Sequence, residues 1–126
     1  MPPRHVEIAV SVTPLRLAGS LRLPAQARGL VIFAHGSGSS RLSPRNRQVA
    51  EALADAGLAT LLFDLLTEDE ARDRRNVFDI DLLGDRLAMA IDWAGRQSEL
   101  QRLSIGLFGA STGAAAALVA AALRPD

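Results

Sequence analysis

The run LSIGLFGASTG, from Leu103 to Gly113, organises the reading of this chain. Its first six letters, Leu103 to Phe108, are almost continuously apolar, as expected of a strand covered on both faces. Gly109 to Gly113 then match G-x-S-x-G, and an alanine-rich helical stretch follows from Ala114 to Leu123. In a strand–turn–helix of this kind the central serine sits on a sharp, strained reversal that lifts its hydroxyl above the sheet. Side chains two positions before and after it would strike neighbouring backbone, which accounts for Gly109 and Gly113. The N–H groups opening the next helix favour developing negative charge. Ser111 is therefore the candidate nucleophile. In a chain rich in Gly, Ala and Ser the five letters alone could mark a close-packed turn. The apolar strand before them and the helix after them favour the nucleophile. A phosphate-binding loop would continue Gly-Lys-Ser/Thr, and this one does not.

Upstream, the chain supplies more strands of the same kind. Gly29 to Ala34 (GLVIFA) and Leu58 to Phe63 (LATLLF) are apolar runs suited to a buried parallel sheet. Between them Ser43-Pro44 reads as an N-cap and first helical residue. That helix should run to about Ala56 with Val49, Ala52, Leu53 and Ala56 inward, stopped by Gly57. A polar, acidic loop is expected over Asp64 to Asn76, with Glu68, Asp69 and Glu70 in solvent. A second helix then carries Ile80, Leu83, Leu87, Ile91 and Ala94 at three-and-four spacing, with Trp93 in the core. At the start, Val6, Ile8, Val10 and Val12, then Leu15, Leu17, Leu21 and Leu23, alternate with mostly polar or small residues. This period of two predicts an antiparallel hairpin broken at Thr13-Pro14. The predicted order β-β-β-α-β-α-β-α is that of one α/β domain spanning residues 1–126, with an antiparallel edge and right-handed parallel units.

The loop after the first parallel strand reads His35-Gly36-Ser37-Gly38-Ser39-Ser40. A loop in this place supplies one backbone N–H to an oxyanion hole, and the residue after the nucleophile, Thr112, supplies the other. Ser37 is the first choice in the loop, with Gly36 and Gly38 as alternatives. A dinucleotide fingerprint would need a glycine where Arg41 stands. His35 could be a general base for Ser111, but it lacks an evident orienting acid, and orienting the loop through backbone hydrogen bonds is the better reading. Arg41 and Arg45, in the cluster Arg41 to Arg47, could hold a substrate carboxylate or phosphate, or simply form a solvated helical turn. Asp64, at a strand's carboxyl end, could orient a histidine, but capping the loop or pairing with an arginine suits it better.

Composition narrows the class. With 14 basic and 14 acidic residues the formal net charge is zero, which argues against nucleic acid and anionic membrane as partners. There are no cysteines, which excludes disulfide scaffolds and thiolate zinc sites. Two histidines with no ligand spacing give no case for a metal, and no motif calls for a cofactor. The opening Met-Pro-Pro-Arg-His lacks a signal peptide's apolar core, and Ala114 to Leu123 is too short to span a bilayer, so a cytoplasmic protein is expected.

The runs VIFAHGSGSSRLSPRN, GLATLLFDLLT and IGLFGASTGAAAAL, in that order, resemble the dienelactone-hydrolase-like branch of the α/β-hydrolase superfamily. Some members of that branch are fused or adjacent to phosphoribosyltransferase domains. The resemblance implies a three-layer α/β-hydrolase sheet and a serine hydrolase acting on carboxylic esters, thioesters or lactones. It also implies Ser111 as nucleophile and Ser37 and Thr112 at the oxyanion hole. Family members continue into further strands carrying the triad acid and histidine, in the order Ser…Asp…His. Here His5 and His35 both precede Ser111, so the C-terminal strands and an intact triad are missing from the sequence. The expected partner is a small acyl substrate. An apolar strand edge left by Leu103 to Phe108 would invite a second copy or a complementing chain. The alternatives are a catalytically incomplete half-domain that binds or assembles, and an acyltransferase using the same turn.

Overall fold

The alternating N-terminal segment becomes a hairpin. In the computed structural model, which describes residues 4–12, 15–36, 39–109 and 112–125, β1 (Arg4–Val12) pairs antiparallel with β2 (Leu15–Leu23). Val10, Leu17 and Leu21 point into the core. Thr13 and Pro14 lie outside the described residues.

The three apolar runs become β3 (Leu30–Ala34), β4 (Ala59–Phe63) and β5 (Ile105–Gly109), and the five-stranded sheet has the order β1-β2-β4-β3-β5. β3 lies between β4 and β5 and is parallel to both, so their carboxyl ends share one edge. Both faces of β3 and β4 are covered, which is why neither run alternates with polar residues. Ile32, Ala34, Leu61 and Phe63 join one cluster with Leu83, Leu87, Ala90 and Ala94 of α4 (Ile80–Gly95) and with Ala116 and Ala120 of α5 (Thr112–Leu123). Phe33 and Leu62 face the opposite way, onto Ala50 of α1 (Pro44–Asp55), and Phe33 stacks at a tilt on Phe108 with centroids 4.9 Å apart. The result is three layers, with α1 on one face and α4 and α5 on the other.

Helix α1 begins as its residues dictate. The Ser43 hydroxyl accepts from the Asn46 amide, and Pro44 opens the first turn. It ends in a Schellman motif, with Leu58 N–H on the Leu53 carbonyl and Gly57 N–H on that of Ala54. Gly57 has a φ of 92°, in the left-handed region that a side chain would make costly. The buried stripe differs from the expected one. Ala50 and Ala54 are buried, Val49 and Leu53 are half-buried, and Ala52 and Ala56 are exposed. The sheet already carries Phe33 and Leu62 on this face, so the helix presents alanine at the closest approach.

The segment expected as a loop over Asp64 to Asn76 holds two short helices, α2 (Glu68–Ala71) and α3 (Arg74–Val77). Thr67 and Glu70 form a capping box: Thr67 Oγ1 accepts from the Glu70 amide at 3.2 Å, and the Glu70 carboxylate accepts from the Thr67 amide at 2.9 Å. Trp93 is buried in the main core, as expected. Gly84 of α4 faces Val119 of α5, and a Cβ there would fall 2.4 Å from the valine Cγ1.

Candidate active site at the carboxyl edge of the sheet

The ends of β3, β4 and β5 lead into His35-Gly36, Asp64-Leu65 and the turn into α5. Ala110 and Ser111 lie outside the described residues, as do Ser37 and Gly38. The described glycines Gly109 and Gly113 are closely packed. A Cβ on Gly109 would lie 2.3 Å from the Gly113 carbonyl oxygen. A Cβ on Gly113 would lie 2.1 Å from the Ala34 carbonyl oxygen and 2.8 Å from that of His35. So residues 109 and 113 lie backbone to backbone, and the start of α5 rests on Ala34 and His35 at the end of β3. Thr112 opens α5, with its Oγ1 buried and without a hydrogen-bond partner among the described residues.

His35 is committed to the main chain. Its Nε2 accepts from the Leu65 amide at 3.0 Å, and its Nδ1 lies 3.1 Å from the Gly36 carbonyl, to which it donates in the neutral tautomer. Burial pushes its pKa below the ordinary histidine value, outweighing the opposing Gly36 hydrogen bond and the Asp64 charge. A neutral ring whose Nε2 lone pair holds a backbone N–H has none left to take a serine proton. Because the unfolded ring protonates more readily, the full contribution of His35 is present above about pH 6.5 and is lost as pH falls below that value. Denaturant unfolding at pH 7.5 and 5.5 should show this loss, and His35→Gln should flatten it. The Glu70 carboxyl, held at about 2, titrates well below this window.

Asp64 and Arg41 form an ion pair. Asp64 Oδ1 accepts from the Arg41 amide at 2.8 Å, and Oδ2 accepts from Arg41 Nη1 at 2.7 Å. Both side chains are about three-quarters withdrawn from water. Of the two arginines considered for substrate binding, Arg41 lines the cavity with its guanidinium on Asp64, whereas Arg45 is exposed on the first turn of α1 and does not line it.

The cavity itself is about 660 Å³. His35, Gly36, Arg41, Asp64 and Thr112 line one side. Leu66, Ala71, Val77, Phe78 and Leu83 give the other an apolar surface, carried largely by α2, α3 and the residues flanking them. These helices are held from below. Arg86 of α4 reaches Glu70 with a forked pair of hydrogen bonds, Nη1 to Oε1 at 2.8 Å and Nη2 to Oε2, and Nη1 also meets the Leu65 carbonyl at 3.3 Å. The fork keeps the Glu70 carboxyl at about 2. The sequence reading left Glu70 in solvent and passed over Arg86. Two signals were available: Thr67-x-x-Glu70 has capping-box spacing, and Arg86 falls on the apolar stripe between Leu83 and Leu87. Among the described residues no cluster of three or more His, Cys, Asp or Glu could hold a metal ion.

Comparison with known proteins gives the same architecture. No protein-family model matches the chain. A dienelactone hydrolase from Anabaena variabilis superposes with a TM-score of 0.96 at 55% identity, over 99% of this chain and 60% of that one. Est1E from Butyrivibrio proteoclasticus, at 21% identity and a TM-score of 0.77 over 94% of this chain and 46% of its own, shares the fold. Two Mycobacterium tuberculosis proteins, whose name provisionally assigns them to the phosphoribosyl transferases, are 58% identical over 121 residues, which is 96% of this chain and 27% of theirs. The sheet order, the parallel crossover units and these superpositions place the chain in the α/β-hydrolase superfamily. Within it, the chain is similar to the Anabaena dienelactone hydrolase over almost its whole length and spans 60% of that protein.

Proposed function

We propose that this chain carries the nucleophile half of a serine hydrolase that cleaves a carboxylic ester, thioester or lactone through an acyl-enzyme on Ser111. The observation that supports the reading is the close backbone contact at Gly109 and Gly113, because a nucleophile turn of the G-x-S-x-G kind needs glycine at both positions. In this mechanism Ser111 Oγ attacks the substrate carbonyl carbon. The Thr112 amide and one amide of the 36–38 loop, Ser37 first, receive the oxyanion; removing one such donor typically costs about 3 kcal/mol of barrier. The serine proton passes to a histidine outside this sequence and then to the leaving alkoxide or thiolate. Water, deprotonated by the same base, releases the acid and frees Ser111. The apolar wall at Leu66, Val77 and Phe78 suits the non-reacting part of a small acyl substrate.

A second reading is a binding or assembly module, favoured by the engagement of His35 with the backbone. Acyl transfer would use the same turn with another acceptor in place of water. The phosphoribosyl-transferase name of the Mycobacterium proteins concerns chains of which 27% is matched, and we take it to describe a region outside the match. A cytoplasmic location fits the finding that no helix among the described residues is long and apolar enough to cross a membrane. Pairing of the outer edge of β5 with a further strand, from this protein or a second copy, belongs to the same proposal.

A fluorophosphonate probe tests the hydrolase reading. The protein is expected to be labelled on Ser111, with all labelling lost in Ser111→Ala. Absence of labelling in the wild-type protein would leave the binding module standing.

A further inference from the structure

We propose that Asp64 is a positioning residue for the oxyanion loop, and that Arg41 is its partner in that task rather than a ligand for substrate. The inference rests on the hydrolase reading for its catalytic consequence, but its structural content is independent of it. Residues 35 and 41 bound the loop that supplies an oxyanion amide, and both are tied to adjacent residues at the end of β4. The Leu65 N–H holds the His35 ring at 3.0 Å, and the Asp64 carboxylate holds the Arg41 backbone amide at 2.8 Å. The second carboxylate oxygen takes the Arg41 guanidinium at 2.7 Å, so that the charge binding the loop is itself neutralised. The anchor is fixed in turn, because the Asp64 amide donates to the Ala18 carbonyl of β2 at 2.9 Å. His35 and Arg41 are thus both fixed to the two consecutive residues that follow β4, and preorganisation of the donors is the larger part of an oxyanion hole's effect.

Another role for Asp64 conflicts with its contacts. A triad acid needs an oxygen free for a histidine, whereas both Asp64 oxygens face Arg41, and the His35 ring is spent on Leu65 and Gly36. Arg41 gives Nη1 to Asp64, while its Nε has no hydrogen-bond partner among the described residues, so a carboxylate-bearing ester separates positioning from substrate binding.

The test uses the full-length protein carrying Asp64→Ala, Asp64→Asn, Arg41→Met or Arg41→Lys. Amide hydrogen exchange is followed by NMR, and kinetics are measured on a neutral ester and a carboxylate-bearing ester of equal size. In Asp64→Ala the Arg41 amide should exchange at least about tenfold faster, the equivalent of one charge-assisted hydrogen bond. The kcat should fall by a similar factor with KM for the neutral ester little changed. Asp64→Asn, which keeps an acceptor, should lie between Asp64→Ala and wild type. Arg41→Met should lower kcat equally for both esters, with Arg41→Lys closer to wild type. Unchanged exchange at Arg41 in a folded Asp64→Ala or Asp64→Asn protein would overturn the proposal. So would a rise in KM confined to the carboxylate-bearing ester in Arg41→Met. If the protein neither labels nor turns over, the hydrolase reading fails separately, and the exchange measurement alone decides the role of Asp64.

Discussion

Gly113→Ala is expected to destabilise the protein by on the order of 3 kcal/mol or more, the upper range for overpacking, because nothing near the new methyl group can yield. Its Cβ would fall 2.1 Å from the Ala34 carbonyl oxygen, 2.8 Å from the Ala34 carbonyl carbon and 2.8 Å from the His35 carbonyl oxygen. All three are backbone atoms at the end of a central strand, so relief requires moving β3 or lifting α5 off it. Gly109→Ala should behave alike, since its Cβ would lie 2.3 Å from the Gly113 carbonyl oxygen. The controls are Gly106→Ala and Gly95→Ala, where a Cβ meets nothing within 4 Å, and which should change stability by less than about 1 kcal/mol. Urea unfolding of the four variants decides the matter. A Gly113→Ala protein as stable as Gly106→Ala would show that the turn does not rest on the β3 loop.

Glu70→Ala is expected to cost about 2–3 kcal/mol, below the range for a fully buried pair because the Glu70 side chain keeps 24% of its exposure. Most of that cost is the Arg86 guanidinium, its side chain 10% exposed, left among the described residues with the Leu65 carbonyl at 3.3 Å. Replacing both partners, as in Glu70→Leu with Arg86→Met, should recover much of it, since no uncompensated charge remains. The pH dependence has a fixed sign. The carboxyl is held at about 2 against an ordinary 4.5, so its contribution is complete above about pH 4.5 and is lost as pH falls towards 2. The difference in unfolding free energy between wild type and Glu70→Gln should therefore shrink through that window. A difference independent of pH would mean that the fork does not form. Because α2 carries one wall of the cavity, these variants should also loosen that wall before they unfold the sheet.

The strands, the main helices and the glycines around Ser111 were legible because each is written locally. Apolar alternation or continuity over five to nine residues reports how many faces of a strand are covered, and Leu30–Ala34 and Ala59–Phe63 lie within one or two residues of the expected runs. The face of α1 was harder, because Val49 with Leu53 and Ala50 with Ala54 are both helical stripes. Only the bulk of Phe33 and Leu62 on the opposing sheet selects the alanines. The acidic stretch after β4 looked solvated because charge counts against burial in the absence of a partner, and the partner of Glu70 lies on another helix, sixteen residues further on.

By itself the sequence determined the order of elements, the hairpin edge, the glycine-flanked turn and the placing of His35 beside the end of a parallel strand, since strand period, caps and turn residues act over a few positions. The tertiary structure decided which particular partner each ionic group takes. It paired Asp64 with Arg41 in particular, set the His35 ring on Leu65, and brought Arg86 beneath Glu70. The energy of a charge or a lone pair is set by whatever stands within about 4 Å of it, and chain proximity does not specify that neighbour.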